Sequence, residues 1–228
     1  MYKKYIKRLL DIIFSALLIV LTSPFLLIGI IVIKLDDHGP AFFSQPRIGK
    51  DCKEFTMYKL RSMKMQTHDK DGRKLRDKER VTKAGVFIRK TSIDELPQLF
   101  NVLKGDMSFI GPRPLLVKYL PYYTEEEIHR HDVRPGITGL AQVNGRSNLA
   151  WEKRFEYDLE YVRNVSFKND MKILGKTIKK VFKGSDTSVN ERPKNFVSLN
   201  IQRENERKNR ENNSNLGSNG DFGDSNSK

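Results

Sequence analysis

One hydrophobic run dominates the polarity pattern of the chain. Residues 12–33, IIFSALLIVLTSPFLLIGIIVI, hold 22 consecutive positions without a charge. As a straight helix this run extends about 33 Å, enough for the hydrocarbon core of a bilayer. A removed signal peptide fits poorly, because the run is long and no small-x-small cleavage site follows it. Thr22-Ser23-Pro24 interrupts it near the middle. Proline frees a helical carbonyl and favours a bend, and neighbouring hydroxyls can satisfy what it frees. Two geometries follow: a kinked spanning helix, or a helix that enters, bends at Ser23-Pro24 and returns to the same face. Lys3, Lys4, Lys7 and Arg8 precede the run, and Lys34, Arg47, Lys50 and Lys53 follow it. Charge on both flanks gives little positive-inside asymmetry and suits the returning helix.

Beyond the run, PAFF and EFTMYKL are short apolar pieces separated by RIGKDCK, the pattern of strands and turns between Gly39 and Met63. In a strand Lys59 and Arg61 share one face, either solvated or turned to a phosphate. Residues 64–83 are charged without apolar periodicity and read as a surface loop. Residues 115–130 look helical, with a threonine cap at TEEE. Trp151, Phe155, Leu159 and Val162 line one helical face, as do Met171, Leu174, Ile178 and Val181. Lys172, Lys176, Lys179, Lys180 and Lys183 decorate the second helix, which suits either a core-packed helix with a solvated face or a helix resting on anionic lipid. From about Asn190 the chain turns to Asn, Ser, Gly and charges, a composition that predicts disorder.

Charge narrows the partners. The chain of 228 residues carries 42 Lys+Arg against 28 Asp+Glu, a formal net charge of +14. From Glu191 onward seven basic residues face six acidic ones, so the excess lies almost wholly in residues 1–190. Anionic membrane, phosphorylated substrates and nucleic acid all answer to that sign. The basic residues are spread out and no recognition motif or stacking stripe appears, which argues against nucleic acid. Cys52 is the single cysteine, so no internal disulfide can form, and the four histidines show no zinc-ligand spacing with it.

The densest chemistry lies in residues 88–114, IRKTSIDELPQLFNVLKGDMSFIGPRP. Asp94 and Glu95 stand between Arg89-Lys90 and the Gly111-Pro112-Arg113-Pro114 turn. Ser92 to Glu95 fits a capping box, in which Ser92 caps a helix and Glu95 reaches back. Pro97 lacks the N–H such a helix would use in its first turn, so the turn opens or the regular helix starts later. An opened turn lets both carboxylates address one ligand, and capping and catalysis are compatible here. A second block, RPGITGLAQVNGR from Arg134 to Arg146, combines three glycines with an arginine at each end: a tight structural loop, or one built for phosphate. It matches neither the Walker A nor the dinucleotide fingerprint.

Taken in order from about Lys7 to about Lys183, these blocks resemble the monotopic phosphoglycosyl transferases, the bacterial sugar transferases that start glycan assembly on a polyprenyl phosphate. GPAFFSQPRIG, YKLRSM, the 88–114 block and RPGITGLAQVNGR carry the resemblance. Leu60 replaces the phenylalanine common in the second of these. The resemblance implies a mainly helical α+β protein: a re-entrant membrane helix over residues 1–35, bent at Ser23 and Pro24, and a small cytosolic catalytic domain with short strands over 36–188; the polar tail over 189–228 lies outside the resemblance and is expected to be disordered from its composition. It implies transfer of a sugar 1-phosphate from a UDP-sugar to polyprenyl (undecaprenyl) phosphate with release of UMP. By motif, Asp94 is the nucleophile and forms an aspartyl-phosphosugar, and Glu95 is the Mg2+ ligand. Arg89, Arg113, Arg146 and Lys59 are phosphate clamps, with Asp170 a further candidate. The expected location is the cytoplasmic face of the inner membrane. A homodimer and downstream glycosyltransferases are further partners this reading allows, and nucleic acid is not. The rival is a membrane-anchored scaffold or lipid-binding protein, which leaves the Asp94-Glu95 pair without a purpose.

Overall fold

A computed structural model describes residues 1–145, 149–182 and 197–218. They form a mostly helical protein with a few short strands and one long apolar helix at the N-terminus. Following a π-helical turn at Tyr2–Ile6, α1 runs unbroken over Lys7–Asp36, with Pro24 inside it. The missing N–H of Pro24 leaves the carbonyl of Val20 without its usual partner, and the Ser23 hydroxyl donates to it at 2.8 Å. Thr22 likewise donates to Leu18 O at 2.6 Å. The Ser23 hydroxyl thus explains how an apolar helix tolerates an internal proline.

The expected short strands form, β1 (Phe42–Ile48) and β2 (Glu54–Leu60), and they pair as an antiparallel hairpin, with Phe42 opposite Leu60 and Ile48 opposite Glu54. Residues 64–83, expected to be a loop, carry the short helix α2 (Asp77–Arg80) and a turn in which Asp69 accepts from the N–H groups of Asp71 and Arg73. Helix α3 (Lys83–Lys90) is capped by Thr82, whose hydroxyl accepts from Gly85 N. Asp36, at the end of α1, accepts from Ala84 N at 2.9 Å, which fastens α3 to the apolar helix. Ile33, Leu60, Ala84 and Ile88 close the core between them.

Helix α4 (Gln98–Lys104) leads to β3 (Ser108–Ile110), which pairs in parallel with β4 (Gly136–Thr138). Neither strand was legible in the sequence. The pairing requires glycine: a Cβ on Gly136 would collide with the backbone of Gly111, and one on Gly139 would do the same. Gly136 and Gly139 of the second block thus serve backbone-to-backbone approach. Residues 117–131 hold two 3-10 helices, Val117–Tyr122 and Glu127–His131, and no regular α-helix. A reciprocal cap does form there: Glu127 N donates to Thr124 Oγ1 and Thr124 N to Glu127 Oε2.

Helix α5 (Leu140–Asn144) is followed by α6 (Trp151–Arg163) and α7 (Phe167–Phe182), which occupy the predicted positions. Trp151, Phe155, Leu159 and Val162 are buried as predicted. On α7 the predicted apolar face is not the packed one: Met171, Leu174, Ile178 and Val181 are all exposed, and Ile173, outside that set, is the buried residue. Of the tail expected to be disordered, residues 189–196 and 219–228 lie outside the described residues, and the described part is ordered. Residues 199–218 form helix α8, and Leu199 is fully buried among Leu115, Tyr119, Trp151 and Phe155. The polar composition concealed this because one leucine, with the Trp151 indole donating to Val197 O at 3.0 Å, anchors the helix.

Candidate active site

Asp94 lies on a single 3-10 turn, Ile93–Glu95, rather than in a regular helix. Ser92 takes a left-handed conformation (φ 57°, ψ 18°) and makes no side-chain cap, and α4 begins only after Pro97. The capping box is therefore not formed. The proline that forbids a regular first turn leaves the two carboxylates on an opened one, and Glu95 is engaged elsewhere: Lys59 Nζ donates to its Oε1 at 2.8 Å.

The turn is held from three sides. Asn101 of α4, fully buried, donates to Thr56 O and accepts from Tyr58 N, so α4 is stitched to the strand that carries Lys59. Arg89, at the end of α3, donates to Ser62 Oγ at 2.8 Å. The third side is α1. A Cβ on Gly29 would stand 2.9 Å from Leu60 Cδ1 and 3.1 Å from Ile93 Cγ2, so only glycine lets the apolar helix press this closely on the residue before Asp94.

Burial pushes the Asp94 carboxyl above the ordinary aspartate range; Lys59 pulls it down, Glu95 pushes it up, and Arg89 pulls it down. A partly desolvated carboxylate held beside cations is a competent nucleophile toward an anionic phosphorus centre. Asp94 and Glu95 also offer adjacent hard oxygen donors. Among the described residues no group of three or more His, Cys, Asp or Glu joins them. Mg2+ commonly takes one or two carboxylates and completes its shell with substrate phosphates and water, so the pair fits such an ion.

Of the residues singled out in the sequence, Asp94, Glu95, Lys59 and Arg89 come together. Arg113 is exposed and lines a narrow cleft together with Lys59 and Gln98. Arg146 lies outside the described residues. Asp170 belongs to a different place: almost wholly buried, it accepts from Tyr2 OH, Lys7 Nζ and Tyr161 OH at 2.6, 2.7 and 2.9 Å. Three partners satisfy this carboxylate, which fastens the start of α1 to α7. Arg61, read as a companion to Lys59, pairs instead with Asp37 Oδ2 at 2.7 Å, at the end of α1. Arg47 was missed. It lines the same cleft as Arg113, and its alternation with Gln45 along β1 was the available signal.

Comparisons with known proteins identify the family. A family model described as "Bacterial sugar transferase" matches residues 2–184. The chain is 53% identical over 176 residues to the "Uncharacterized sugar transferase EpsL" of Bacillus subtilis, covering 77% of this chain and 87% of that protein. To the UDP-glucose:undecaprenyl-phosphate glucose-1-phosphate transferase of Klebsiella pneumoniae it is 46% identical over 187 residues, 78% of this chain and 40% of that one. To the undecaprenyl-phosphate galactose phosphotransferase of Salmonella typhimurium it is 40% identical over 197 residues, 79% of this chain and 41% of that one. The chain thus aligns with about two fifths of the length of the latter two relatives.

Proposed function

The chain belongs to the bacterial sugar transferase family, and from that premise we propose that it moves a sugar 1-phosphate from a UDP-sugar to undecaprenyl phosphate, releasing UMP. The observation that carries this reading is the partly buried Asp94 beside Lys59 and Arg89, on a turn packed against the apolar helix. An Asp94 oxygen attacks the phosphorus that bears the sugar, and the bond to the UMP oxygen breaks. The acceptor phosphate then attacks that phosphorus, the bond to Asp94 breaks, and the carboxylate is restored. Both attacking and leaving groups are already ionised at neutral pH. The residues must neutralise and orient charge more than move protons.

Lys59, Arg89 and Arg113 supply that positive charge, and the Lys59–Glu95 ion pair orients Glu95. Glu95 would hold Mg2+ together with oxygens of the diphosphate, and such an ion supplies neutralisation of the charge on the phosphoryl oxygens.

Our reading of the location rests on α1. Its exposed face carries Leu9, Ile13, Leu17, Val20 and Leu21, while Asp11, Ser15, Gly29 and Ile33 on the other face are buried. Near its start Arg8 donates to Val102 O and Leu103 O, and near its end Ile33 packs against the core with Leu60 and Ile88. Contacts from both ends to one small domain support a helix that embeds and returns on the cytoplasmic face of the inner membrane, rather than one that spans. A lipid phosphate stays at headgroup level, and this arrangement brings Asp94 to it.

The test is UMP release by the full chain in detergent, with Mg2+, undecaprenyl phosphate and a panel of UDP-sugars. Release with one sugar, lost in Asp94→Asn with membrane association retained, is the expected result. Turnover by Asp94→Asn close to that of the parent would remove the nucleophile assignment, and a scaffold protein would release no UMP from any sugar.

A further inference from the structure

Arg47 and Arg113 line one cleft with Lys59 and Gln98. Arg47 projects from the end of β1, donating through Nη2 to Gln45 Oε1 at 2.7 Å and through Nη1 to Pro114 O at 3.4 Å, a long contact. Its Nε is buried with no hydrogen-bond partner, and among the described residues neither Arg47 nor Arg113 pairs with a carboxylate. Burial pushes the Arg47 guanidinium down to about 10, and Arg113 pushes it the same way. Keeping two guanidinium groups together in a narrow cleft is costly unless an anion joins them. Lys59 extends the cleft to Glu95 and Asp94.

The chemistry of the transfer, on which this inference rests, indicates which anion. In an in-line displacement the attacking and leaving oxygens lie on opposite sides of phosphorus. In the first step Asp94 attacks from one side and the UMP phosphate departs on the other. In the second step Asp94 is itself the leaving group, so the acceptor phosphate must enter on the side that UMP left. Both partners are phosphate monoesters, and both need the same positive subsite.

We propose that Arg47 and Arg113 form this shared subsite, which holds the phosphate of the departing UMP and then that of the incoming polyprenyl phosphate. A planar guanidinium pair suits a monoester dianion through forked hydrogen bonds, and the unpartnered Arg47 Nε is a donor left for it. Occupancy by one phosphate excludes the other, so UMP competes with the lipid acceptor for the phosphosugar enzyme.

The experiment uses the full chain in detergent, with isotope exchange between labelled UMP and UDP-sugar to read the first step and KM for undecaprenyl phosphate to read the second. Arg47→Met is expected to raise the KM of both substrates and the inhibition constant of UMP by similar factors, about tenfold or more. Arg47→Lys should recover part of each loss. Arg113→Met, at an exposed side chain that leaves the fold intact, should reproduce the paired loss if Arg47→Met proves unstable. A change confined to one substrate, or no change in either Met variant, overturns the subsite while exchange by the parent enzyme keeps the transferase reading. Absence of exchange in the parent removes that reading and the subsite with it.

Discussion

Gly29 of the apolar helix packs so closely on Ile93, the residue before Asp94, that an added Cβ would stand 3.1 Å from Ile93 Cγ2. The segment assigned to the membrane is thus packed directly against the turn assigned to catalysis. Asp36 and Asp37 continue the contact by capping α3 and pairing with Arg61.

Gly29→Val should therefore act on turnover. Overpacking typically costs about 1–3 kcal/mol, and here the displaced groups are Leu60 and Ile93. We expect UMP release to fall about tenfold or more while the protein still sediments with membranes. Gly175→Ala, where no heavy atom lies within 4 Å, is the control. Equal activities for the two variants would show that the contact does not position the turn.

The pH dependence follows from Asp94. The attacking carboxylate must be ionised, so the rate falls as pH drops through its pKa, which burial has raised. Lys59 favours the charged form. Lys59→Met should raise the pKa further and move the acid limb of kcat/KM for the UDP-sugar to higher pH. A limb that stays in place or moves to lower pH would contradict the electrostatic role.

Asp170 should behave as a fastener. Removing one partner of a buried, hydrogen-bonded ion pair typically costs about 3–5 kcal/mol, and Lys7 and Asp170 are 14% and 1% exposed at the side chain. Asp170→Ala should lower the melting temperature and make the first residues accessible to protease, with KM for the UDP-sugar unchanged in the protein that remains folded. A raised KM with unchanged melting would restore Asp170 as a residue of the substrate site.

The docking of α8 has an optical readout, because Trp151 is the single tryptophan and its indole bonds Val197 O. Deleting residues 197–228 should shift the emission to longer wavelength as water reaches the ring. Leu199→Ala should cost about 2–5 kcal/mol. Unchanged emission in the truncated chain would show that α8 does not cover the ring.

Much of this protein was legible in one dimension because the signals are local. The uncharged run predicted α1, the Ser23 hydroxyl and Pro24 predicted each other's chemistry, and helical spacing placed α6 and α7. Pro97 announced that a regular helix could not start at Ser92. The charge excess in residues 1–190 and the ordered blocks from GPAFFSQPRIG to RPGITGLAQVNGR were enough to identify the family. Tertiary structure alone decided what depends on partners distant in sequence. Pairing of β3 with β4 joins two three-residue segments that have no pattern of their own, and of the two readings of the glycine block Gly136 and Gly139 follow the structural one, letting backbones meet. Asp170, charged and beside lysines, was a candidate for the site until Tyr2, Lys7 and Tyr161 were found around it. Arg47 resembled a flank charge until the fold set it beside Arg113. A side chain's type and spacing state which interactions it can make, while its partner, and so its role, is set by which distant segment the core brings within hydrogen-bond reach.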